Sequence, residues 1–482
     1  MAVTVNCCVV SIDVIPDNPA MFHNRLLHGK PNVLTGLSGA MPRFFCTALL
    51  FIVSFGLVTV SSNASAECPD LTPYYPGADV NWPSLSQQLE PMSSECLESS
   101  EFYALLGAAK LNSGDIADAF ESLERALLLE PENGAAQMDY AQALYLQGQL
   151  FSALEINDAL LAREDLPSNL EGIVLQRQKS WRALTTERSG QLDILAGHDN
   201  NLNGAPGPSQ LTLTLSGDPI VLPLNKEFRP QSGPYMNLRL GGRYRQLGPN
   251  YQHNWLTEVR GRLSEDSESD LLQFDSRYSF IRPGRRQSWQ VNTGITHLQF
   301  GGSSLYTGLD VSARYQRATG LSCKPYYQMA TQYQLFHNQR QLTALESKAG
   351  VGMNCPRSSS WGNYQVSTEL SLLSNTGTES GRPGGNRDGW LASIDWQIDL
   401  PLGEFRSQLG YTELNDTDGY SPLLADGAQR WLRRSYVLLQ YRRPLVEGTT
   451  LLVNLFHQDQ HSNLELFQSV DSTIEIGISL AL

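Results

Sequence analysis

The feature that most constrains the fold is a two-residue alternation that recurs from about Gln191 to the end of the chain. In one segment the apolar residues Met236, Leu238 and Leu240 alternate with polar residues such as Arg239. Successive side chains of a strand point to opposite faces, so this segment has one apolar face and one polar face. The same alternation returns in residues 272–280, 305–315, 390–400 and 474–482.

The length of these segments separates two classes of β protein. Each runs for about ten residues or more, whereas strands of soluble sheets usually have about five or six. About ten residues are needed to cross a bilayer at a tilt. An apolar outer face and a charged inner face are typical of a transmembrane β-barrel, whose closure pairs every backbone group. A large soluble β-sandwich or propeller is the alternative, and the steady recurrence of charge on one face favours the membrane barrel.

The strand count supports the barrel. Strands are predicted at 189–198, 235–245, 252–262, 270–281, 286–299, 305–317, 324–335, 341–354, 361–373, 389–400, 404–413, 432–442, 448–458 and 472–482. That is about fourteen, an even number as bacterial barrels have. Short turns alternate with longer polar connections such as 374–388 and 414–431. The connection 199–234 has room for an extra hairpin, which would make sixteen strands.

An apolar run at 44–60 follows Arg43 and precedes a small-residue motif at 64–66. This arrangement is typical of a secretory signal peptide and predicts cleavage after Ala66. A membrane anchor is the weaker alternative, because the run is short and no basic flank follows it. Met41 is then the predicted start. The segment 41–66 is the signal peptide, and 1–40 is predicted to be a non-native or unstructured extension.

Four cysteines remain after the predicted cleavage site, at Cys68, Cys96, Cys323 and Cys355. An even number in an exported protein predicts disulfides, and the spacings match no zinc pattern. Cys323 opens one predicted strand and Cys355 closes the next. Those ends are adjacent in an antiparallel pair, so a bridge between them is predicted at the barrel rim. Cys68 and Cys96 form the remaining pair.

The segment from Ser99 to about Pro167 has helical periodicity. Gly148 lies 34 residues after Gly114, and small residues recur at the same spacing, as in tetratricopeptide repeats. Ordinary helical hairpins are the alternative. The second repeat departs from the pattern at Asn157, where an apolar residue is expected. A further helix at about 168–187 is predicted to cap the repeats. The predicted domains are a linker with a possible disulfide at 67–98, the repeat domain at 99–187 and the barrel at 188–482.

Two short motifs flank the strand at 211–217. The first contains Asp199, Asn200, Asn201, Asn203, Ala205 and Pro206, and the second contains Arg229, Pro230, Ser232 and Gly233. Together with the helical repeats, they resemble the surface lipoprotein assembly modulator family over about residues 99–482. The terminal Leu482, in place of a phenylalanine, and the degenerate second repeat depart from it. The Asp/Asn cluster lacks the spacing of a calcium-binding EF-hand loop, so a turn is the favoured interpretation over a calcium site.

The resemblance implies an α+β multidomain protein with tetratricopeptide repeats before a transmembrane antiparallel barrel of about fourteen strands. It implies a location in the outer membrane of a Gram-negative bacterium, with the repeats in the periplasm. The implied partners are lipoprotein or secreted-protein cargo, outer-membrane lipid, a periplasmic chaperone and the barrel-assembly machinery. The net charge of −14 argues against nucleic-acid binding. The mean hydropathy of −0.27 argues against a helical membrane protein.

Enzymatic chemistry has little support in the sequence. The histidines are scattered, and none lies in a G-x-S-x-G or H-E-x-x-H motif. We therefore predict no catalytic, cofactor-binding or metal-binding residues and no cofactor. The second functional hypothesis is an exopolysaccharide secretion porin with periplasmic repeats. Such exporters usually carry many more repeats and one sign of charge in the lumen, which favours the protein-delivery hypothesis.

Charged residues on the polar strand faces are the predicted lumen lining. The candidates are Arg239, Arg243, Arg260, Arg262, Arg277, Asp275, Asp310, Asp395 and Asp399, together with Arg245, Arg314, Arg406, Glu258 and Glu475. The arginines on the early strands suggest a polar or anionic passage. The favoured alternative is that ion pairs between these residues fill the lumen.

Overall fold

The computed structural model describes residues 68–77, 80–284, 286–318, 322–360 and 362–482. The predicted N-terminal extension and signal peptide lie outside the described residues. The chain divides into two compact units, one ending at Tyr140 and one comprising 141–482. Among the described residues, no helix combines the length and the apolar character needed to span a membrane.

The first unit is helical. It contains α1 (Trp82–Leu89), α2 (Ser100–Ser113), α3 (Ile116–Leu129) and the start of α4 (Gly134–Leu146). The segment predicted as a linker thus includes a helix, which begins where the Asn81 side chain accepts a hydrogen bond from the Ser84 backbone. The Cys68–Cys96 bridge closes this segment, with the two Cα atoms 4.5 Å apart.

Close packing of α2 against α3 explains the small residues of the first repeat. A Cβ at Gly107 would lie 2.5 Å from Cγ of Leu123, so any larger residue there would displace the Leu123 side chain. Ala119, Leu123 and Ala126 are completely buried on the facing side of α3. The helix ends at Leu129, before Pro131, as the sequence predicts.

The second unit continues with the remainder of α4, α5 (Leu150–Leu161) and α6 (Ser168–Ala183). Gly148 has a positive φ of 79°, and Gly114, 34 positions earlier, has a φ of 92°. Each glycine comes just after the end of an α-helix and has the left-handed backbone conformation that glycine adopts most easily. This shared position explains why the two glycines repeat at this spacing.

The polar residue that breaks the repeat pattern has a structural role. The Asn157 side chain is completely buried and donates a hydrogen bond to the Val174 carbonyl at 3.3 Å. Its oxygen accepts from the Arg177 Nε at 3.1 Å. Asn157 therefore joins α5 to α6, and its buried polar atoms are satisfied by these hydrogen bonds. The helix α6 ends at Ala183, and Thr186 already belongs to the first strand.

Sixteen strands follow. They are β1 (Thr186–Asp199), β2 (Gln210–Leu215), β3 (Asp218–Pro223), β4 (Gly233–Leu247), β5 (Gln252–Ser264), β6 (Leu271–Arg282), β7 (Gln287–Phe300), β8 (Ser303–Arg317), β9 (Lys324–Phe336), β10 (Ala344–Ser359), β11 (Gly362–Gly377), β12 (Arg387–Leu400), β13 (Gly403–Gly419), β14 (Gln429–Val446), β15 (Thr449–Ser462) and β16 (Ser469–Ala481). Fourteen of them form a closed antiparallel barrel in which β1 pairs with both β16 and β4. The hairpin β2–β3 is a separate sheet, so the barrel has fourteen strands rather than sixteen.

The two ends of the barrel differ. One end, the short-turn end, carries connections such as 401–402 and 447–448. The opposite end, the long-loop end, carries the connections 200–232, 378–386 and 420–428. The strand β1 begins at the short-turn end, directly after α6. The predicted Cys323–Cys355 bridge is formed at that same end, with the Cα atoms 4.1 Å apart.

The outer surface of the barrel is apolar. Leu240, at the middle of β4, is 52% exposed, and Val311 and Ile476 are similarly exposed on other strands. Exposed aromatic side chains lie near both ends, among them Trp255 towards the short-turn end and Trp390 towards the long-loop end. An apolar band between aromatic belts is typical of a barrel whose outer surface contacts lipid.

Candidate functional site

The lumen is the first candidate site, and its lining follows from the strand register. The register places Arg239, Arg243, Arg260, Arg262, Arg277, Asp275, Asp310, Asp395 and Asp399 on that face. The adjacent residues on each strand point outward because side chains alternate. Predicted lumen residues from separate strands therefore share one interior surface.

Opposite charges meet across this interior. The Arg239 Nε lies 3.4 Å from a Glu258 oxygen and 3.6 Å from an oxygen of the buried Asp193. In the later strands, the Arg406 Nη2 lies 2.7 Å from an Asp395 oxygen. The Lys348 Nζ likewise lies 3.1 Å from an oxygen of Glu369 on β11. Paired charges of both signs favour the ion-pair interpretation of the lumen over a passage of one sign.

A carboxylate spans the seam where the barrel closes. Glu475 of β16 accepts hydrogen bonds from the Tyr235 hydroxyl, Asn237 Nδ2 and Asn454 Nδ2, each at 2.9 Å. Between them on β1 lies Gly197, where a Cβ would come within 2.6 Å of the Tyr235 ring. The glycine thus lets Glu475 connect β16 to β4 across β1, on the inside of the seam.

The two separated motifs of the sequence form one folded element, the motif loop (residues 199–206 and 229–233). Its centre is the buried Asp199, which accepts hydrogen bonds from the Asn201 backbone at 2.7 Å and from Arg262 Nη1 at 3.0 Å. The Asn201 side chain bonds both backbone groups of Ala205. Arg262 also donates to the Leu202 carbonyl at 2.7 Å.

The second motif is tied to the first by side chains. Asn203 Nδ2 donates to the Arg229 carbonyl at 2.9 Å, and Asn203 Oδ1 accepts from the Gln231 backbone at 3.1 Å. Ser232 lies 3.4 Å from a nitrogen of His198. The remaining motif residues lie beside these contacts in the loop, namely Asn200, Pro206, Pro230 and Gly233. The Asp and Asn side chains are thus used in turns. Among the described residues, no three His, Cys, Asp or Glu side chains come together as a metal-binding group would require.

The hairpin β2–β3 lies against other loops of the long-loop end. The Thr214 backbone donates to the Leu423 carbonyl at 2.9 Å, and the Thr212 backbone donates to Glu465 at 2.8 Å. Leu211 and Leu213 pack against a buried apolar cluster of Leu424, Leu432, Leu464 and Phe467. This end of the barrel therefore has a packed core of its own, which sequence reasoning did not identify.

An arginine cluster lies at the same end and was also missed. Arg430 is 1% exposed, and its guanidinium carbon lies 4.6 Å from the Tyr420 ring and 4.3 Å from the Phe467 ring. Its Nη2 lies 3.0 Å from an oxygen of Asp416, and Arg387 Nε lies 3.3 Å from the same oxygen. These residues lie at strand ends that were assigned to loops. Extending the alternation by a few residues would have placed them inside the barrel.

Histidines of the barrel contact hydroxyl or acidic groups. His297 and His337 both lie within hydrogen-bond distance of the Thr307 hydroxyl, at 2.9 and 2.8 Å. His461 lies 3.1 Å from Asp459. His457 also lies 2.8 Å from the Ser472 hydroxyl. These contacts lie in separate places on the barrel.

Comparisons with known proteins describe the two parts separately. The family model described as "Tetratricopeptide repeat" matches residues 110–170. A search of the curated proteins finds no match. Among solved structures, the anion-selective porin from Comamonas acidovorans is similar with 10% identity and a TM-score of 0.34, covering 62% of this chain and 99% of the porin.

Two other solved structures are similar to different parts of the chain. A bacterial polysaccharide outer membrane secretin has 9% identity and a TM-score of 0.33, covering 61% of this chain and 98% of that chain. The type III secretion chaperone SycD of Yersinia enterocolitica, in complex with a peptide of the translocator YopD, has 17% identity and a TM-score of 0.20, covering 21% of this chain and 81% of the chaperone. The closed barrel with its lipid-facing apolar surface places this protein in an outer membrane.

Proposed function

We propose that this protein helps a lipoprotein or another secreted protein reach the cell surface, and that its helical repeats lie in the periplasm. The observation that carries the proposal is the direct connection between the two parts. The helix α6 ends at Ala183 and β1 begins at Thr186, so only two residues separate them. A cargo held by these helices would therefore have a raised effective concentration at the barrel mouth.

The orientation of the barrel supports this arrangement. Bacterial outer-membrane barrels have short periplasmic turns and longer extracellular loops. The short-turn end, where α6 meets β1, would then face the periplasm. The Cys323–Cys355 bridge would lie in that oxidising compartment. The motif loop would lie at the cell surface, and its residues carry the resemblance to the surface lipoprotein assembly modulator family.

The last helix exposes large apolar side chains on both sides of its buried face. Ile173 is 54% exposed and Leu175 is 56% exposed on α6, although both are large aliphatic residues. Exposed apolar side chains of this size support contact with a protein partner. The lumen, by contrast, contains paired charges rather than one sign of charge, which supports delivery of a protein over selective export of a charged polymer.

The first experiment removes residues 99–183, which spares β1. We expect the barrel to remain heat-modifiable in unboiled gels while a specific surface protein is lost from protease-shaved cells. Loss of a surface polysaccharide with all surface proteins intact would instead support the exopolysaccharide exporter. The finer test replaces Ile173→Ser and Leu175→Ser together, with the exposed Lys179→Ser on the same helix as control. Cargo delivery should fall in the double variant and stay at the wild-type level in the control.

A further inference from the structure

Three arginines meet near one carboxylate at the long-loop end. Arg387 opens β12 and Arg430 lies at the start of β14, both on the inward face. Both lie within 3.3 Å of one oxygen of Asp416. Arg382, in the connection 378–386, donates to the carbonyl of the inward-facing Asn375 at 3.1 Å and to its side-chain oxygen.

The positive charges of this cluster outnumber the negative ones. Asp416 is the acid in direct contact, and Glu346 acts on Arg382 through its field. Glu346 itself accepts hydrogen bonds from Gln334 and Asn375, both at 3.2 Å. Three guanidinium groups thus face two carboxylates in a largely buried place. Buried charge is costly unless it is compensated, so the surplus cation calls for an anion.

The cluster also has unused hydrogen-bonding capacity. The Nε atoms of Arg382, Arg387 and Arg430 are buried, and among the described residues none of them makes a well-aligned hydrogen bond, although Arg387 Nε lies 3.3 Å from an Asp416 oxygen. The second oxygen of Asp416 also has no donor there, so three donors exceed one acceptor in spare capacity. Burial lowers the pKa of the Arg382 guanidinium, and the Asp416 carboxylate opposes that shift. Donors of this kind pair well with oxyanions, because a guanidinium presents its N–H groups in a planar fork.

The arginines are held in place before any ligand binds. The rings of Tyr420 and Phe467 enclose Arg430 from two sides. The connection that carries Arg382 is tied to β13, since the Asp418 backbone donates to the Gly384 carbonyl at 3.0 Å. Gly384 has a φ of 77° and lies so close to Asp416 that a side chain would clash there. A preorganised site loses less entropy on binding.

We propose that this cluster binds an oxyanion group, a phosphate or a carboxylate, that enters the barrel from the long-loop end. Arg387 faces the lumen and Arg382 lies in a connection at the mouth, so the group reaches these two arginines from the mouth and not from the lipid around the barrel. Arg430, which is 1% exposed, adds its positive charge from behind them. The site goes beyond the proposed delivery function and does not depend on it.

The test uses the full chain in non-ionic detergent and phosphate-free buffer, titrated calorimetrically with inorganic phosphate and, separately, with acetate. The variant Arg382→Gln with Arg387→Gln keeps the ring-enclosed Arg430. We expect it to bind the better of the two anions about tenfold to a hundredfold more weakly than wild type, since two charge-assisted contacts are lost. The control is Arg314→Gln, a lumen arginine of β8 that donates to Gln328, and it should bind as wild type does.

Gel mobility before and after boiling confirms that each variant is folded. The pair Arg382→Lys and Arg387→Lys keeps the charge without the planar fork and should bind with intermediate strength. Three results would overturn the proposal. The first is that wild type binds neither anion, and the second is that wild type and the double glutamine variant bind equally well. The third is that the arginine substitutions change only the binding of the protein to liposomes of anionic lipid and leave anion binding in detergent unchanged.

Discussion

The helical repeats and the barrel bury opposite kinds of side chain. In the first helical unit Phe102 and Leu123 are completely buried. In the barrel Leu240 lies on the outer surface, while its neighbour Arg239 faces inward to two carboxylates. Both arrangements remove apolar surface from water, by packing in one case and by lipid in the other. The position of an apolar residue therefore reports which solvent surrounds that part of the chain.

The two parts also differ in how far apart in sequence their partners lie. The helices satisfy their backbone groups locally, and α2 packs on the next helix along the chain. The barrel closes only when β1 pairs with β16, nearly 300 residues later. Its closing seam has nine register pairs, from Gln191–Ala481 to Asp199–Thr473, and neighbouring β1–β4 has fourteen. Changes in the barrel should therefore act through closure, whereas changes in the repeats should stay local.

The largest expected effect is in the helical core. Leu123→Ala removes a completely buried side chain next to Gly107 and should lower the free energy of unfolding of the repeats by about 2–5 kcal/mol. Helical ellipticity during thermal unfolding of the full chain measures it. Leu128→Ala, on the same helix but 79% exposed, is the control and should change stability by less than about 0.5 kcal/mol. Equal effects of the two variants would contradict the assigned core.

The second variant tests the outer surface of the barrel. Leu240→Arg places a charge near the centre of a strand that faces lipid, and should destabilise the barrel by about 2–4 kcal/mol. Urea unfolding in lipid vesicles measures the loss. Gly241→Ser, at the adjacent lumen position where an added Cβ would meet no atom within 4 Å, should be tolerated. If the serine variant were the more damaging one, the inward and outward faces of β4 would be reversed.

The smallest of the three effects concerns the seam. Glu475→Ala leaves the donors of Tyr235, Asn237 and Asn454 without their shared acceptor and should cost about 1–3 kcal/mol. The temperature at which the barrel loses its fast gel mobility should fall. Gln440→Ala is the matched control, because its contact with Asn454 is long, at 3.5 Å. A wild-type transition in the Glu475 variant would show that the carboxylate does not stabilise closure.

Most of the barrel was predictable because its signal is local. Each of the fourteen predicted strands overlaps a barrel strand, since two-residue alternation over ten residues needs no knowledge of the partner strand. The errors lie at the strand ends. β13 continues to Gly419 and β14 starts at Gln429, where polar residues and glycines resemble a loop. Pairing with neighbours extends these strands, and so Asp416 and Arg430 were assigned to the wrong class of structure.

The motif loop shows the same limit in another form. Its residues were identified from the sequence, but their contacts were not. Asp199 meets Arg262 from a strand 63 positions later, and Asn203 meets Gln231 from the far end of the connection. The favoured turn interpretation agrees with the structure, because the Asp and Asn side chains bond backbone groups within the loop.

The sequence by itself determined the class of each part. The two-residue alternation predicted the barrel and its two faces, and the 34-residue period predicted the repeats. The order of the strands predicted the Cys323–Cys355 pair. These signals depend on neighbours along one strand, one helix pair or one hairpin. Only the tertiary structure decided that β2–β3 stays outside the barrel and that Arg430 lies between Tyr420 and Phe467. Those outcomes depend on barrel closure, which brings distant loops together at one end, and no local pattern encodes which loops then meet.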